Sequence, residues 1–391
     1  MIKYPYSRPD VSDADIQAVV SSLKGQFLTQ GPALEAFETA LCECLGGQQA
    51  VVCNSGTAAL HLIYMALGLG PQAGLVTSPL TFVATANAAR MCGAPVSFSD
   101  TDPTTGLMTP DDLQRAIESA DFPVRAASII HLGGRVADLP ALQAVAEAHN
   151  ILLVEDACHA PGAAYDSTAG RHRIGDCSHS IAAAFSFHAI KHVTMGEGGA
   201  VLTNDPDLAV RMRLLRNHGL ERNADAWTQA PEPNAPWYYE MQEIGWNYRA
   251  DELACSLGLS QLKRLPEGLQ IRRDLVRRYN DLLADIPGLS TPFIPNDPES
   301  HAWHLYAVSI DFSGLKRRRG DVMRALADVG IGTQVHYIPV SSQPYFQSLG
   351  GQVLPGAQRY YDGTLSLPLY PQLTEQDQEF IADKVRQCLA P

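Results

Sequence analysis

The chain has 391 residues, 46% of them hydrophobic and 18% charged, enough to bury a large core and to fill more than one lobe. A formal net charge of −13 argues against a nucleic-acid or anionic-membrane surface as the main partner, since both would need a broad basic face. No run approaches the roughly 20 apolar residues of a membrane span, the start MIKYPYSRPDVSDADI has no apolar leader core, and the eight cysteines form no C-x-x-C unit, so a cytoplasmic protein with free thiols is expected.

From residue 50 short apolar runs alternate with helical patterns. AVVC (50–53) precedes TAALHLIYMALGL (57–69), and GLVTS (74–78) precedes FVATANAARMC (82–92). PVSFS (95–99) follows, then AASIIHL (126–132) with LPALQAVAEAH (139–149), and ILLVED (151–156). Strands spaced by helices predict an α/β fold whose mainly parallel sheet is covered on both faces. SIAAAFSF (180–187) and GAVLT (199–203) add two strands. After the Pro- and Trp-rich stretch AWTQAPEPNAPWYYEM (226–241) the pattern is helical at 251–265 and 269–286. A second lobe begins near 290, with a strand in WHLYAVSID (303–311). The basic run LKRRRGD (315–321) holds only four cations and reads as a solvated helix start rather than a phosphate patch.

The chemistry-bearing residues stand at strand ends. In CNSGTAALHLIYMALG (53–68) a strand delivers Asn54, Ser55, Gly56 and Thr57 to the start of a helix, where free amides and hydroxyls suit a phosphate. A plain N-cap also accounts for Ser55 or Thr57. Asp156 closes ILLVED (151–156), after the apolar run ILLV and Glu155, and a carboxylate buried there needs compensation. A pyridinium nitrogen, Mg²⁺ or the amides of the next turn would each supply it. Adjacent Cys158 and His159 lack ligand-pair geometry, so no metal is expected.

Lys191, one of six lysines among 29 basic residues, lies between an apolar strand and glycines 196, 198 and 199, with the Ser186 hydroxyl five residues before it. A desolvated lysine has a lowered pKa and attacks aldehydes, while a snorkelling lysine has the same local sequence. Phe82 either stacks on a flat ring or packs in the core. A phosphate site, a ring stack, a carboxylate and a lysine at successive strand ends of one sheet meet the four needs of pyridoxal 5'-phosphate (PLP).

The motifs LTQGPALEAFE (28–38), NSGTAAL (54–60), PLTFVATANA (79–88), VEDACHAPGA (154–163), FSFHAIKHVTMGEGGAV (185–201), RNHG (216–219) and GWNYRADELACSLGLSQL (245–262) occur in this order. In them the chain resembles the DegT/DnrJ/EryC1/StrS sugar aminotransferases, PLP enzymes of fold type I, from about residue 4 to the C-terminus. Within the family, YPYSRPDVSDADI (4–16), HLYAV (304–308) and VGIGTQVHYIPV (329–340) are most similar to the members of pseudaminic acid biosynthesis. Those members aminate C4 of a UDP-linked 4-keto-6-deoxy-N-acetylhexosamine. The chain departs from that subgroup at NSGTAA, at KHVTMGEGG and in a longer 222–241 loop.

The resemblance implies a large domain with a mainly parallel seven-stranded sheet and a smaller α+β C-terminal domain. The expected division is an N-terminal segment 1–30 near the site or an interface, a PLP-binding domain 31–250, and linking helices with the small domain at 251–391. Lys191 would form the Schiff base with PLP and shuttle the proton, Asp156 would face the pyridine nitrogen, His159 would lie near the ring and its hydroxyl, and Phe82 would stack. Ser55, Gly56, Thr57 and Ser186 would surround the phosphate, joined by Asn247 from the other subunit of a homodimer. The nucleotide sugar would meet Tyr6, Gln26, Phe27, Leu28, Thr29, Gly56, Ser186, Asn247, Gln334, Val335, His336 and Tyr337, with Arg249 and His304 as further candidates.

The implied reaction is ping-pong transfer from L-glutamate, with UDP-2-acetamido-2,6-dideoxy-β-L-arabino-hex-4-ulose as the leading acceptor. Three alternatives stand beside it: another nucleotide-sugar 3- or 4-aminotransferase, a sugar 3-dehydratase, in which histidine replaces the lysine, and a non-catalytic nucleotide-sugar-binding regulator.

Overall fold

Strands rich in Ala, Val, Ile and Leu are stable only when both faces are covered. The computed structural model describes residues 2–229, 231, 232 and 235–390, and it buries such strands in one seven-stranded sheet. They are β1 (Gln49–Cys53), β2 (Gly74–Thr77), β3 (Val96–Phe98), β4 (Val124–Ile130), β5 (Leu152–Asp156), β6 (Ala182–Ser186) and β7 (Gly199–Thr203), in the order β1-β7-β6-β5-β4-β2-β3. β7 runs antiparallel to both its neighbours, and the other pairings are parallel. The expected α/β fold with a mainly parallel sheet is therefore what forms.

The covering helices are α1 (Asp13–Leu23), α2 (Pro32–Leu45), α3 (Gly56–Ala66), α4 (Ala84–Met91), α5 (Pro110–Glu118), α6 (Leu139–Ala148), α7 (Pro206–Arg216), α8 (Glu252–Leu262) and α9 (Leu265–Leu283). Their limits are local: Ser12 and Asp15 close a capping box at α1, while Pro32 opens α2 and Gly46, at φ +95°, ends it. Side chains of α2, α6 and α8, such as Phe37, Leu142 and Cys255, fill the core on one face. Those of α3, α4 and α7, such as Leu60, Ile63, Ala88 and Met212, fill the other. Each fully buried Leu or Ile contributes about 1.5–3 kcal/mol.

α9 joins two cores. Leu265 and Leu269 belong to the first, whereas Leu275, Val276, Tyr279 and Leu283 belong to a third, in the small lobe. That lobe contains an antiparallel sheet of β8 (Leu289–Ser290), β9 (Tyr306–Ile310) and β10 (Thr364–Leu367), with α10 (Arg319–Asp328) and the C-terminal helix Glu375–Leu389. The run 315–321 leads into α10, where Arg318 Nε donates to Asp321 at 2.7 Å. All eight cysteines are unpaired. Among the described residues no helix is long and apolar enough to cross a membrane.

The N-terminal segment straps the small lobe to the large one. Tyr4 bridges to Ile331 and enters the third core, the Tyr6 carbonyl accepts from Leu369 N at 3.0 Å, and Ser7 Oγ donates to the Ile190 carbonyl at 3.2 Å. This last contact lies one residue from Lys191.

Candidate active site

Parallel strands expose their C-terminal ends along one edge of a sheet, which is where such sheets place ligands. β1, β5 and β6 end there, at Cys53, Asp156 and Ser186, and antiparallel β7 begins there at Gly199. The backbones are packed tightly. A Cβ on Gly56 would meet Ser186 Cβ at 2.8 Å, and a Cβ on Gly199 would overlap the Ser55 carbonyl. Ser55 Oγ accepts from Ala58 N at 3.1 Å, so the capping reading holds for its hydroxyl. The first-turn amides of α3 stay directed at the edge, a phosphate-sized concentration of N–H donors.

This packing gives a direct expectation. Gly199→Ala forces an overlap with backbone that cannot swing away, at about 1–3 kcal/mol, so cofactor affinity should fall about tenfold or more. Equilibrium titration with PLP measures it.

Asp156 is 7% exposed. Its Oδ2 accepts from Thr85 Oγ1 at 2.6 Å and its Oδ1 from Cys158 N at 3.3 Å. Lys191 is half-buried, and burial lowers its pKa from the ordinary 10.5, opposed by the nearby Cys158 and Asp156. Burial also lifts the Cys158 thiol well above its usual value. His159, His304 and His192 form a ring cluster with centroids 4.4 and 5.4 Å apart. Burial, reinforced by Lys191, holds all three well below the usual histidine value, so they are neutral. Gly133 N donates to His159 Nδ1 at 3.2 Å, and Nε2 lies 3.2 Å from the Tyr337 hydroxyl.

Apart from His192 and Gly133, these groups line a cavity of about 700 Å³. Of the residues singled out in the sequence, Tyr6, Ser55, Gly56, Thr57, Phe82, Asp156, His159, Ser186, Lys191, His304, Gln334, Val335, His336 and Tyr337 line it. Phe82 is 60% exposed there, which removes the core-packing reading. Its ring lies 6.4 Å from that of Tyr337. Gln26, Phe27, Leu28 and Thr29 are all exposed and lie outside the cavity of the single chain. Asn247 is outside it too, its carbonyl held by Asn54 Nδ2 at 3.4 Å, and Arg249 is tied to Asn217.

Sequence reading passed over Thr81, Thr85, His188 and Gln343, all of which line the cavity. The one available signal was the spacing of the two threonines, four residues apart at a helix start, which puts them on the same side. Among the described residues no cluster of three or more His, Cys, Asp or Glu is arranged to hold a metal.

A sheet-edge cavity with a depressed lysine, a buried carboxylate and an amide cradle can be compared with known proteins. The model of the DegT/DnrJ/EryC1/StrS aminotransferase family matches residues 9–386. The spore coat polysaccharide biosynthesis protein SpsC of Bacillus subtilis is 39% identical over 386 residues, covering 98% of this chain and 96% of that protein. A UDP-4-amino-4,6-dideoxy-N-acetyl-β-L-altrosamine transaminase of Campylobacter jejuni is 34% identical over 379 residues, covering 97% and 95%. Among solved structures, Helicobacter pylori PseC, an aminotransferase involved in the biosynthesis of pseudoaminic acid, superposes with a TM-score of 0.88 at 29% identity, covering 99% of both chains. With a family match across nearly its whole length and a fold shared with a sugar aminotransferase, the chain belongs to the DegT/DnrJ/EryC1/StrS aminotransferase family and is a PLP-dependent sugar aminotransferase.

Proposed function

We propose that the enzyme moves an amino group from L-glutamate to C4 of a UDP-linked 4-keto-6-deoxy-N-acetylhexosamine, UDP-2-acetamido-2,6-dideoxy-β-L-arabino-hex-4-ulose. The observation that carries the reaction type is the convergence of Lys191, Asp156, Ser186 and the α3 N-terminus on one cavity. The likeness to the Campylobacter transaminase and to PseC supports the acceptor.

The residues present fit the cofactor. The packing of Gly56 against Ser186 leaves the amides at the head of α3 and the Ser186 hydroxyl as a phosphate cradle, and Asp156 offers a buried carboxylate to a ring nitrogen. When bound, PLP supplies an electron sink for the charge left at the carbon that loses its proton. Lys191 tethers the cofactor and then, with its pKa lowered, removes and returns that proton as general base and acid. Asp156 would keep a proton on the ring nitrogen and Phe82 would cover the ring face, while His159 orients the Tyr337 hydroxyl. Tyr6 and the segment Gln334–Tyr337, brought by the small lobe, form the sugar side.

Gln26, Phe27, Leu28, Thr29 and Asn247 are assigned to the cavity of a second copy in a cytoplasmic homodimer. The apolar exposure of Phe27 (49%), Leu28 (54%) and Trp246 (42%) on these two segments supports that assignment.

Incubation with glutamate and a panel of UDP-, GDP- and dTDP-linked 4-keto-6-deoxy sugars should yield a 4-amino product from the UDP-linked N-acetyl sugar, identified by NMR. Turnover confined to a dTDP- or GDP-sugar would reject the acceptor and leave the aminotransfer intact.

A further inference from the structure

The catalytic carboxylate is held by a relay of two hydroxyls. Thr85 is 0% and Thr81 3% exposed. Thr85 Oγ1 lies 2.6 Å from Asp156 Oδ2 and 2.8 Å from Thr81 Oγ1. A carboxylate has no proton to give, and a threonine hydroxyl has only one. Thr85 therefore donates to Asp156 and must accept from Thr81, which fixes the direction of both bonds. The remaining acceptor near Thr85, the Phe82 carbonyl at 3.5 Å, is too distant to compete with a charged oxygen at 2.6 Å.

We infer that Thr85, backed by Thr81, is a positioning residue that sets the orientation of Asp156, and through it how firmly the ring nitrogen of the cofactor holds its proton. The inference rests on the assignment of Asp156 to that nitrogen. With Oδ2 taken by Thr85 and Oδ1 by the Cys158 amide, the carboxylate cannot rotate, and its unused lone pairs are the ones left for the ring. Phe82 lies between the two threonines in sequence, so a single turn, Thr81–Thr85, presents both the stacking ring and the clamp on the carboxylate. Any shift of that turn moves both together.

The relay also holds the charged oxygen in place. A charge-assisted donor at 2.6 Å fixes Oδ2 and leaves the free lone pairs of Asp156 turned to the ring, so the ring nitrogen keeps its proton. Without Thr85 the carboxylate is free to turn, and its hold on that proton weakens. The ring then withdraws fewer electrons, and the nitrogen linking it to Lys191 becomes easier to protonate. The other titratable groups facing Asp156 are Tyr64 of α3, Cys158 and His159 after β5, Lys191, and Tyr337 of the small lobe. Burial moves Tyr64, Cys158 and Tyr337 up and His159 down, so none of these four titrates near neutrality.

The test follows the visible absorbance of the lysine-bound cofactor against pH in the holoenzyme. Thr85→Val should raise the midpoint by at least about half a pH unit, the equivalent of about 0.7 kcal/mol. Thr85→Ser should restore it, and Thr81→Val should raise it by a smaller amount. Should Thr85→Val fail to fold or to retain PLP, Thr81→Val and Thr85→Ser decide. Midpoints unchanged from wild type, within about 0.2 units, in every valine variant that holds PLP would overturn the relay. A wild type with no lysine-linked band would instead reject the assignment of Lys191.

Discussion

Replacement of Lys191 by alanine is expected to give a folded, colourless protein whose turnover falls by at least on the order of 10⁴. The chain has six lysines, yet only this one lines the cavity. Among the described residues no other amine lines the cavity to take over both the tether and the proton transfer. Borohydride reduction followed by peptide mapping should mark Lys191 in the wild type and nothing in the variant. Turnover within about a hundredfold of wild type, or a reducible band that persists, would refute the role. Stability should respond in the opposite direction. The native pKa of this lysine lies below the ordinary 10.5, so between the two values the unfolded chain binds the proton and the native chain does not. The cofactor-free wild type should therefore gain stability as pH rises through that window, and Lys191→Ala should lack this slope.

Acid should destabilise the protein steeply. Burial lowers His61 to about 4 and His336 to about 3, and it holds His159, His192, His301 and His304 well below the usual 6.5. Below pH 6.5 the unfolded chain protonates at these six positions while the native chain stays neutral. The folded state thus loses stability as pH falls, with the loss beginning near 6.5 and ending only when the native rings protonate. Each proton taken up on unfolding costs about 1.4 kcal/mol per pH unit. Even three of them would remove about 4 kcal/mol over one unit, a large share of the 5–15 kcal/mol typical of a domain. Urea midpoints at pH 7 and pH 5.5 measure the effect, and equal midpoints would contradict it. His304→Phe should flatten the slope by about one proton.

The parts legible in the sequence were those whose chemistry is local. Apolar runs spaced by helical patterns specify a covered parallel sheet, and a carboxylate or lysine just beyond such a run can only stand at the sheet edge. The capping role of Ser55 was legible because an N-cap hydroxyl finds its donor in its own helix, and accepting from Ala58 N leaves its proton free for a phosphate. Phe82 could not be judged in advance, since its exposure depends on what the small lobe brings against it, and its ring neighbour, Tyr337, is 255 residues away. The contact of His159 with Tyr337 spans 178 residues and was equally hidden. Equally hidden was that α8 and the first part of α9 share the core of the large lobe through Cys255, Leu262, Leu265 and Leu269.

That long helix also restricts how the cavity can close. α9 is one unbroken rod of 19 residues, anchored by leucines in the large lobe at one end and by Tyr279 and Leu283 in the small lobe at the other. A clamshell rotation of one lobe over the other would have to bend this rod or pull one set of anchors from its core. A continuous helix shared by both cores resists such a rotation. Shutting water out during turnover falls to thin parts such as the strap of residues 4–10 and the Phe82 turn, and the speed of catalysis would be tuned there rather than by the hinge of a large domain.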